Sequence, residues 1–142
     1  MVFYNKGLEL EPENEVIMNN KGIAFLEINQ KEAENYFKKA LEIKPDYATA
    51  RKNLALLYNK AKDYSKSVKH FQILADNFPD NPSYNYDLAV NLGDKFYYET
   101  RSLEDLEKAI KYFKRAEELS PGFLKAEENI KVLKEIKELY NN

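Results

Sequence analysis

The sequence predicts an all-α domain built as an array of antiparallel helix hairpins, and three observations predict it. Four of the five prolines close phrases of one kind, LELEPEN (8–14), LEIKPDY (41–47), LADNFPDN (74–81) and AEELSPGF (116–123). Their separations of 33, 34 and 42 residues fall in the range of stacked two-helix units. Upstream of three of these prolines the same offsets recur, as Ala33-x3-Phe37-x2-Ala40, Ser67-x3-Phe71-x2-Leu74 and Ala109-x3-Phe113-x2-Ala116. Steps of three and four put the small and aromatic residues on one helix face. The composition agrees, since Lys, Glu, Leu and Ala are abundant while the 142 residues hold only 4 Gly and 5 Pro, too few turn formers for a many-stranded sheet.

Eight helices follow in order. The first, about 2–11, carries Phe3, Tyr4, Leu8 and Leu10, and its Tyr4-x2-Gly7 repeats the end of the phrase. It has no partner in a hairpin of its own. It either lies on the next hairpin as a short cap, or is the cut end of a longer array, or is completed by another chain. The second, 15–27, contains Gly22-x2-Phe25; the third, 30–43, starts from Asn29 with Glu32 three residues on, an N-cap pattern. The fourth, 47–61, has Leu54-Ala55-x2-Tyr58, and Asp63 caps the fifth, 64–77. Asn81-Pro82 opens the sixth, 82–100, because proline at the first helical position gives up no needed N–H. Ser102-Leu103-Glu104-Asp105 caps the seventh, 103–119, and the eighth, 122–140, carries Phe123, Ala126, Ile130, Leu133 and Tyr140. Lys131 fills its small position, so it reads as a solvating cap, with a docking surface as the other reading.

The third hairpin is long. From Ala89 to Pro121 there are about eight more residues than from Ala55 to Pro79, so both of its helices are expected to be lengthened, by about two turns in total. The insertion holds Phe96, Tyr97 and Tyr98, which either pack on one another or form a second contact surface.

Gly22-x2-Phe25, Ala55-x2-Tyr58 and Ala89-x2-Leu92, followed by the A-x3-F and proline phrases, resemble the tetratricopeptide pattern W-x2-L-G-x2-Y…A-x3-F…P. The resemblance covers almost the whole chain. The tryptophan place is taken by Met18, Arg51 and Asn85, and Lys21 stands where leucine is usual. The resemblance implies a right-handed superhelical solenoid in one domain, 1–142: a half-repeat at 1–14, repeats at 15–47, 48–81 and 82–123, and a capping helix at 124–142. It further implies that the first helix of each hairpin lines a concave groove. Val16, Asn19, Asn20 and Ile23 come first, then Thr49, Lys52, Asn53 and Leu56, then Ser83, Tyr86, Asp87 and Val90. Lys125, Glu128, Asn129 and Val132 follow on the last helix.

Two columns run through these sets. Asn20, Asn53, Asp87 and Asn129 form a polar one, suited to pairing with a peptide backbone, and Ile23, Leu56, Val90 and Val132 an aliphatic one. Tetratricopeptide clamps for chaperone tails need cations that are missing here. Asn53 matches one clamp position, but Asn19, Ile23, Ser83 and Asp87 occupy others, so a terminal carboxylate has little to pair with.

The remaining classes are excluded by composition and motif. A net charge of −2 and a pI near 5.6 speak against nucleic acid. With no cysteine and one histidine, His70, neither a thiolate metal site nor a nucleophile–base pair can be built. No Gly-rich phosphate loop occurs, and carboxylates such as Glu104 interleave with Lys108 and Lys111 as on a solvated face. The N-terminus lacks a signal-peptide pattern and no run of about 18 apolar residues exists, so a cytoplasmic protein is expected. The expected function is that of a non-catalytic adaptor or scaffold without cofactor or metal, whose partner is a protein or peptide. Self-assembly into a homo-oligomer, or service as an accessory domain of a larger assembly, stands beside it.

Overall fold

A computed structural model describes residues 14–142. The expected helix at 2–11, and with it the half-repeat, lies outside the described residues. The described residues fold into seven α-helices and one π-helical turn, grouped in two compact units that divide between Ala61 and Lys62. The division falls inside the stretch expected as the second repeat.

The first unit holds α1 (Glu15–Phe25), α2 (Gln30–Ile43) and α3 (Ala48–Lys60). Asn14 Oδ1 accepts from the backbone N–H of Ile17 at 3.0 Å and Asn29 Oδ1 from that of Glu32 at 3.2 Å, each satisfying an orphan donor of the first turn. α1 and α2 pack as a hairpin and α3 lies on α2. Their core is Ala33, Phe37, Leu54, Leu57 and Tyr58, flanked by Phe25, Leu26 and Leu41. Gly22 is the point of closest approach: a Cβ there would stand 2.5 Å from Phe37 Cε1.

Two departures from the repeat pattern have a physical account here. Lys21, in the usual leucine place, is buried with its ammonium 5.1 Å from the centre of the Tyr36 ring, a cation–π contact that compensates the buried charge. Arg51, in a tryptophan place, donates from Nη2 to the carbonyl of Pro45 at 3.0 Å. Desolvation pushes the Arg51 guanidinium below its ordinary value. Asn85 does the same in the second unit, donating to the carbonyls of Pro79 at 3.1 Å and Asn81 at 2.8 Å. Each polar substitute ties down the carbonyl of the proline six residues before it, a group the ended helix leaves without a donor.

The second unit holds α4 (Tyr64–Asn77), α5 (Pro82–Lys95) with a π turn at Phe96–Thr100, α6 (Leu103–Leu119) and α7 (Ala126–Asn141). α4 packs on α5, α5 on α6, and α6 on α7. Asp63 and Asn81 cap α4 and α5 as expected, through Lys66 N at 3.2 Å and Tyr84 N at 3.1 Å. Both helices of the long hairpin are extended: 82–100 runs as α-helix and then π turn, and α6 has 17 residues against 14 in α4. The π turn ends at Arg101, in the left-handed region at φ 52°.

Its geometry turns Glu99 back onto α4. The carboxylate accepts from Tyr64 N at 2.9 Å and Ser65 Oγ at 2.7 Å, so α4 is capped by its neighbour as well as by Asp63.

Two expectations at helix starts are corrected. Ser102 makes no side-chain cap to α6. Its backbone N–H instead donates to Thr100 Oγ1, whose hydroxyl bonds Asp105 at 2.6 Å. α7 begins at Ala126 and not near 122, because Gly122 and Leu124 both take positive φ, 79° and 48°, in a double turn after Pro121. Phe123 therefore precedes the helix. Among the apolar clusters of this unit, one gathers around Ala89, Phe113 and Ala126 and another around Phe96, Leu106 and Ile110.

Candidate interaction surface

The residues expected in the groove divide between the two units. In the first, Ile23 and Leu56 are 47% and 48% exposed on α1 and α3. Val16 and Thr49 are exposed beside them, and Asn20 and Lys52 are half-buried. Asn19 is a correction: it is buried, and its Oδ1 accepts from Asn53 Nδ2 at 3.0 Å. Spacing aligned Asn53 with Asn20, one residue later. The two first helices thus meet on a diagonal, one position off the row that spacing draws. The contact falls at a separation of 34 residues, against the 33 of the alignment.

The second unit repeats the diagonal. Asn129 on α7 donates from Nδ2 to Tyr86 Oη at 3.3 Å, while the Tyr86 ring meets Phe113 and Phe123 edge-on at 5.3 and 5.6 Å. Ser83, Asp87 and Val90 are half-buried, and Val132 is 53% exposed. Asn91, unforeseen from spacing, is buried, accepting from Ser67 Oγ at 2.7 Å and donating to the Asp87 carbonyl at 2.8 Å.

The long hairpin answers its question in parts. Phe96 is corrected from surface to core: it is buried and meets Tyr140 edge-on at 5.5 Å. Tyr97 and Tyr98 remain exposed. They touch each other at 4.8 Å, Tyr98 stacks on Tyr64 at 5.3 Å, and the Arg101 guanidinium lies 4.7 Å from the Tyr97 ring centre. Burial, followed by the charges of Asp94 and Glu99 and the Tyr98 side chain, raises the Tyr64 hydroxyl above its ordinary pKa.

Two concavities were not foreseen. One, about 220 Å³, opens between α5 and α7 over Val90, Gly93, Phe113, Leu133 and Ile136, with Asp94 and Asn129 among its polar lining. The other, about 850 Å³, is broad and crossed by both signs of charge, including Lys111, Lys114 and Glu118. Arg115 pairs there with Asp80 at 2.7 Å and Lys137 with Glu107 at 3.3 Å. The first had a sequence signal, a glycine inside the lengthened helix; the second had none, since alternating charge reads as solvated surface. Among the described residues, no group of three or more His, Cys, Asp or Glu is placed to hold a metal ion, and no helix is long and apolar enough to cross a membrane. His70 is half-buried on α4.

Comparison with known proteins agrees with this architecture. Two tetratricopeptide repeat models match, at residues 31–89 and 101–123, together more than half of the chain. No curated protein sequence matches. Among solved structures, a MamA RS-1 ArsTM double mutant superposes with a TM-score of 0.78 at 20% identity, over 95% of this chain and 72% of that one. MamA 41-end from Desulfovibrio magneticus RS-1 gives 0.78 at 19% identity, over 96% and 73%. The first TPR of Spaghetti (RPAP3), bound to the HSP90 peptide SRMEEVD, gives 0.71 at 16% identity, over 87% and 92%. At such identities the likeness concerns the fold, and together with the repeat matches and the small-and-aromatic packing of Gly22 on Phe37 it places the chain in the tetratricopeptide repeat family.

Proposed function

We propose that the chain is a non-catalytic scaffold that binds an extended peptide or protein segment along the first-helix faces of its hairpins, with repeats at 15–47, 48–81 and 82–123 and a cap at 124–142. The observation that carries the reading is the aliphatic column. Ile23, Leu56 and Val132, at equivalent repeat positions, are each left about half exposed. In each unit a side-chain amide lies on the same face, Asn53 in the first and Asn129 in the second. Apolar anchors beside backbone-pairing groups suit an extended segment. The RPAP3 domain, of like fold, holds the HSP90 peptide SRMEEVD, whose last residue is acidic; here Asn19, Ile23, Ser83 and Asp87 supply no cations for such an end. The absence of cysteine supports a cytoplasmic setting.

The test is affinity purification from the source cells with the wild-type chain and an Ile23→Glu/Leu56→Glu variant. Partners captured by the wild type and lost by the variant, at unchanged helicity and melting temperature, support the reading. An unchanged set of captured proteins rejects it. The exposed Tyr97 and Tyr98 favour one second reading, self-association through the long hairpin, and a strictly monomeric light-scattering mass across a concentration series rejects that.

A further inference from the structure

The cavity between α5 and α7 contains a glycine that the fold does not require. Gly93 sits inside a helix, where glycine is disfavoured against alanine. Positive φ is not the reason, and neither is crowding, since a Cβ built there meets nothing within 4 Å. Gly22 shows what a packing glycine looks like in this fold, with Phe37 2.5 Å from its Cβ position. At Gly93 the missing side chain leaves open space, walled by Val90, Phe113, Leu133 and Ile136. The volume of about 220 Å³ exceeds the roughly 150 Å³ in which an apolar cavity accommodates benzene.

We infer that Gly93 keeps open a slot for one bulky apolar side chain of an extended peptide, flanked in that peptide by neutral or basic residues. The inference rests on the groove reading and adds the chemistry of the occupant. The walls are aliphatic and aromatic, so the anchor is Leu, Ile, Met or Phe. The charged group in the lining is a carboxylate, Asp94, and no cation lines the slot among the described residues, so acidic flanks are repelled. Asn129, whose amide donates to Tyr86 Oη at 3.3 Å, is a neutral polar group of the same lining.

The test uses the whole chain and three fluorescein-labelled, end-blocked nonapeptides of serine: one with a central leucine flanked by lysines, one with the leucine flanked by glutamates, and one with lysines around a central serine. Fluorescence anisotropy is expected to rank the first above both others by at least about tenfold, the ratio set by burying one aliphatic side chain. Gly93→Leu fills the slot. It should bring the first peptide down to the level of the third while the melting temperature stays equal or rises, and Gly93→Ala should fall between.

Wild-type affinity in Gly93→Leu overturns the slot, as does equal binding of the three peptides. The wider groove reading falls by a different result, unchanged capture by Ile23→Glu/Leu56→Glu. A concentration-dependent dimer that Gly93→Leu dissolves assigns the slot to a second copy and overturns the peptide occupant.

Discussion

Gly22→Ala is the perturbation that tests the packing logic of the repeat most directly. Two effects oppose one another. Alanine in a helix interior is favoured over glycine by about 1 kcal/mol. Against this, the new methyl carbon would lie 2.5 Å from Phe37 Cε1, 2.6 Å from Cδ1 and 3.0 Å from Cζ, where carbon atoms pack at roughly 3.5–4.0 Å. Phe37 must therefore retreat by about 1 Å, and it is fully buried in one core cluster with Ala33, Leu54 and Leu57. Overpacking of this kind costs about 1–3 kcal/mol. The net expectation is a loss of about 1 kcal/mol, read as a lower urea midpoint at unchanged slope.

Gly93→Ala supplies the control, since the Cβ meets nothing and the propensity term acts alone, giving a gain of up to about 1 kcal/mol. A second control is the cycle with Phe37→Leu, in which the smaller side chain should relieve part of the Gly22→Ala penalty as a coupling above about 0.5 kcal/mol. If Gly22→Ala raises the midpoint as Gly93→Ala does, the close approach of α1 to Phe37 is not what holds the first hairpin, and the reasoning fails.

The other predictions concern the second unit and the alkaline limb. Glu99→Ala removes the acceptor for Tyr64 N and Ser65 Oγ; by analogy with N-caps it should cost roughly 0.5–2 kcal/mol in denaturant unfolding, with Glu99→Gln retaining part. Ser67→Ala makes the position match Ala33 and Ala109, yet it strips Asn91 Oδ1 of a buried donor at 2.7 Å, so a loss of about 1–2 kcal/mol is expected, partly recovered in Ser67→Ala/Asn91→Leu. Burial raises the Tyr64 hydroxyl, and the hydrogen bond to Glu34 raises the Lys38 ammonium. In both, the folded state holds its proton more tightly. Their contribution is therefore fully present below the unfolded values of about 10 and 10.4, and is lost as pH rises through the folded ones. Urea midpoints should change little from these groups between pH 6 and about 9 and fall above it. The fall should shrink in Tyr64→Phe.

The fold was legible because its determinants are local and repeated. Proline stops and small-aromatic offsets recur at fixed spacing, and each recurrence puts a buried small residue beside a buried Phe, as with Ala33 and Phe37, Ser67 and Phe71, or Ala109 and Phe113. Helix starts were legible where a side chain caps its own turn, at Asn29, Asp63 and Asn81. They were not legible where the cap arrives from elsewhere. Glu99 reaches α4 from a residue 35 positions away, through a π turn that no periodicity announces, and Ser102 yields its role to a Thr100–Asp105 pair. The late start of α7 was hidden for another reason, since a leucine at φ 48° lies outside what sequence propensity favours.

The candidate surface was read less well, and the reason changes what it can do. Spacing makes rows, because it aligns equivalent positions; the packed helices make diagonals, each contact falling one position off the row. Asn53 thus bonds buried Asn19, and Asn129 bonds Tyr86. Amides assigned to a partner's backbone are partly engaged by the chain itself, and in the first unit the exchange also stabilises the fold. An Asn53→Ala variant would leave the buried Asn19 without this donor and cost about 1 kcal/mol or more, so loss of binding there would not separate surface from stability. Ile23 and Leu56 in the first unit and Val132 in the second carry no such double duty: they are about half exposed, and a charge at any of them leaves the core clusters of its unit intact. Affinity in this chain should therefore follow the aliphatic column more than the amide column. Val132→Glu should weaken partner binding more than Asn129→Ala, at smaller cost to the urea midpoint, and the opposite order would return the amides to the centre of recognition.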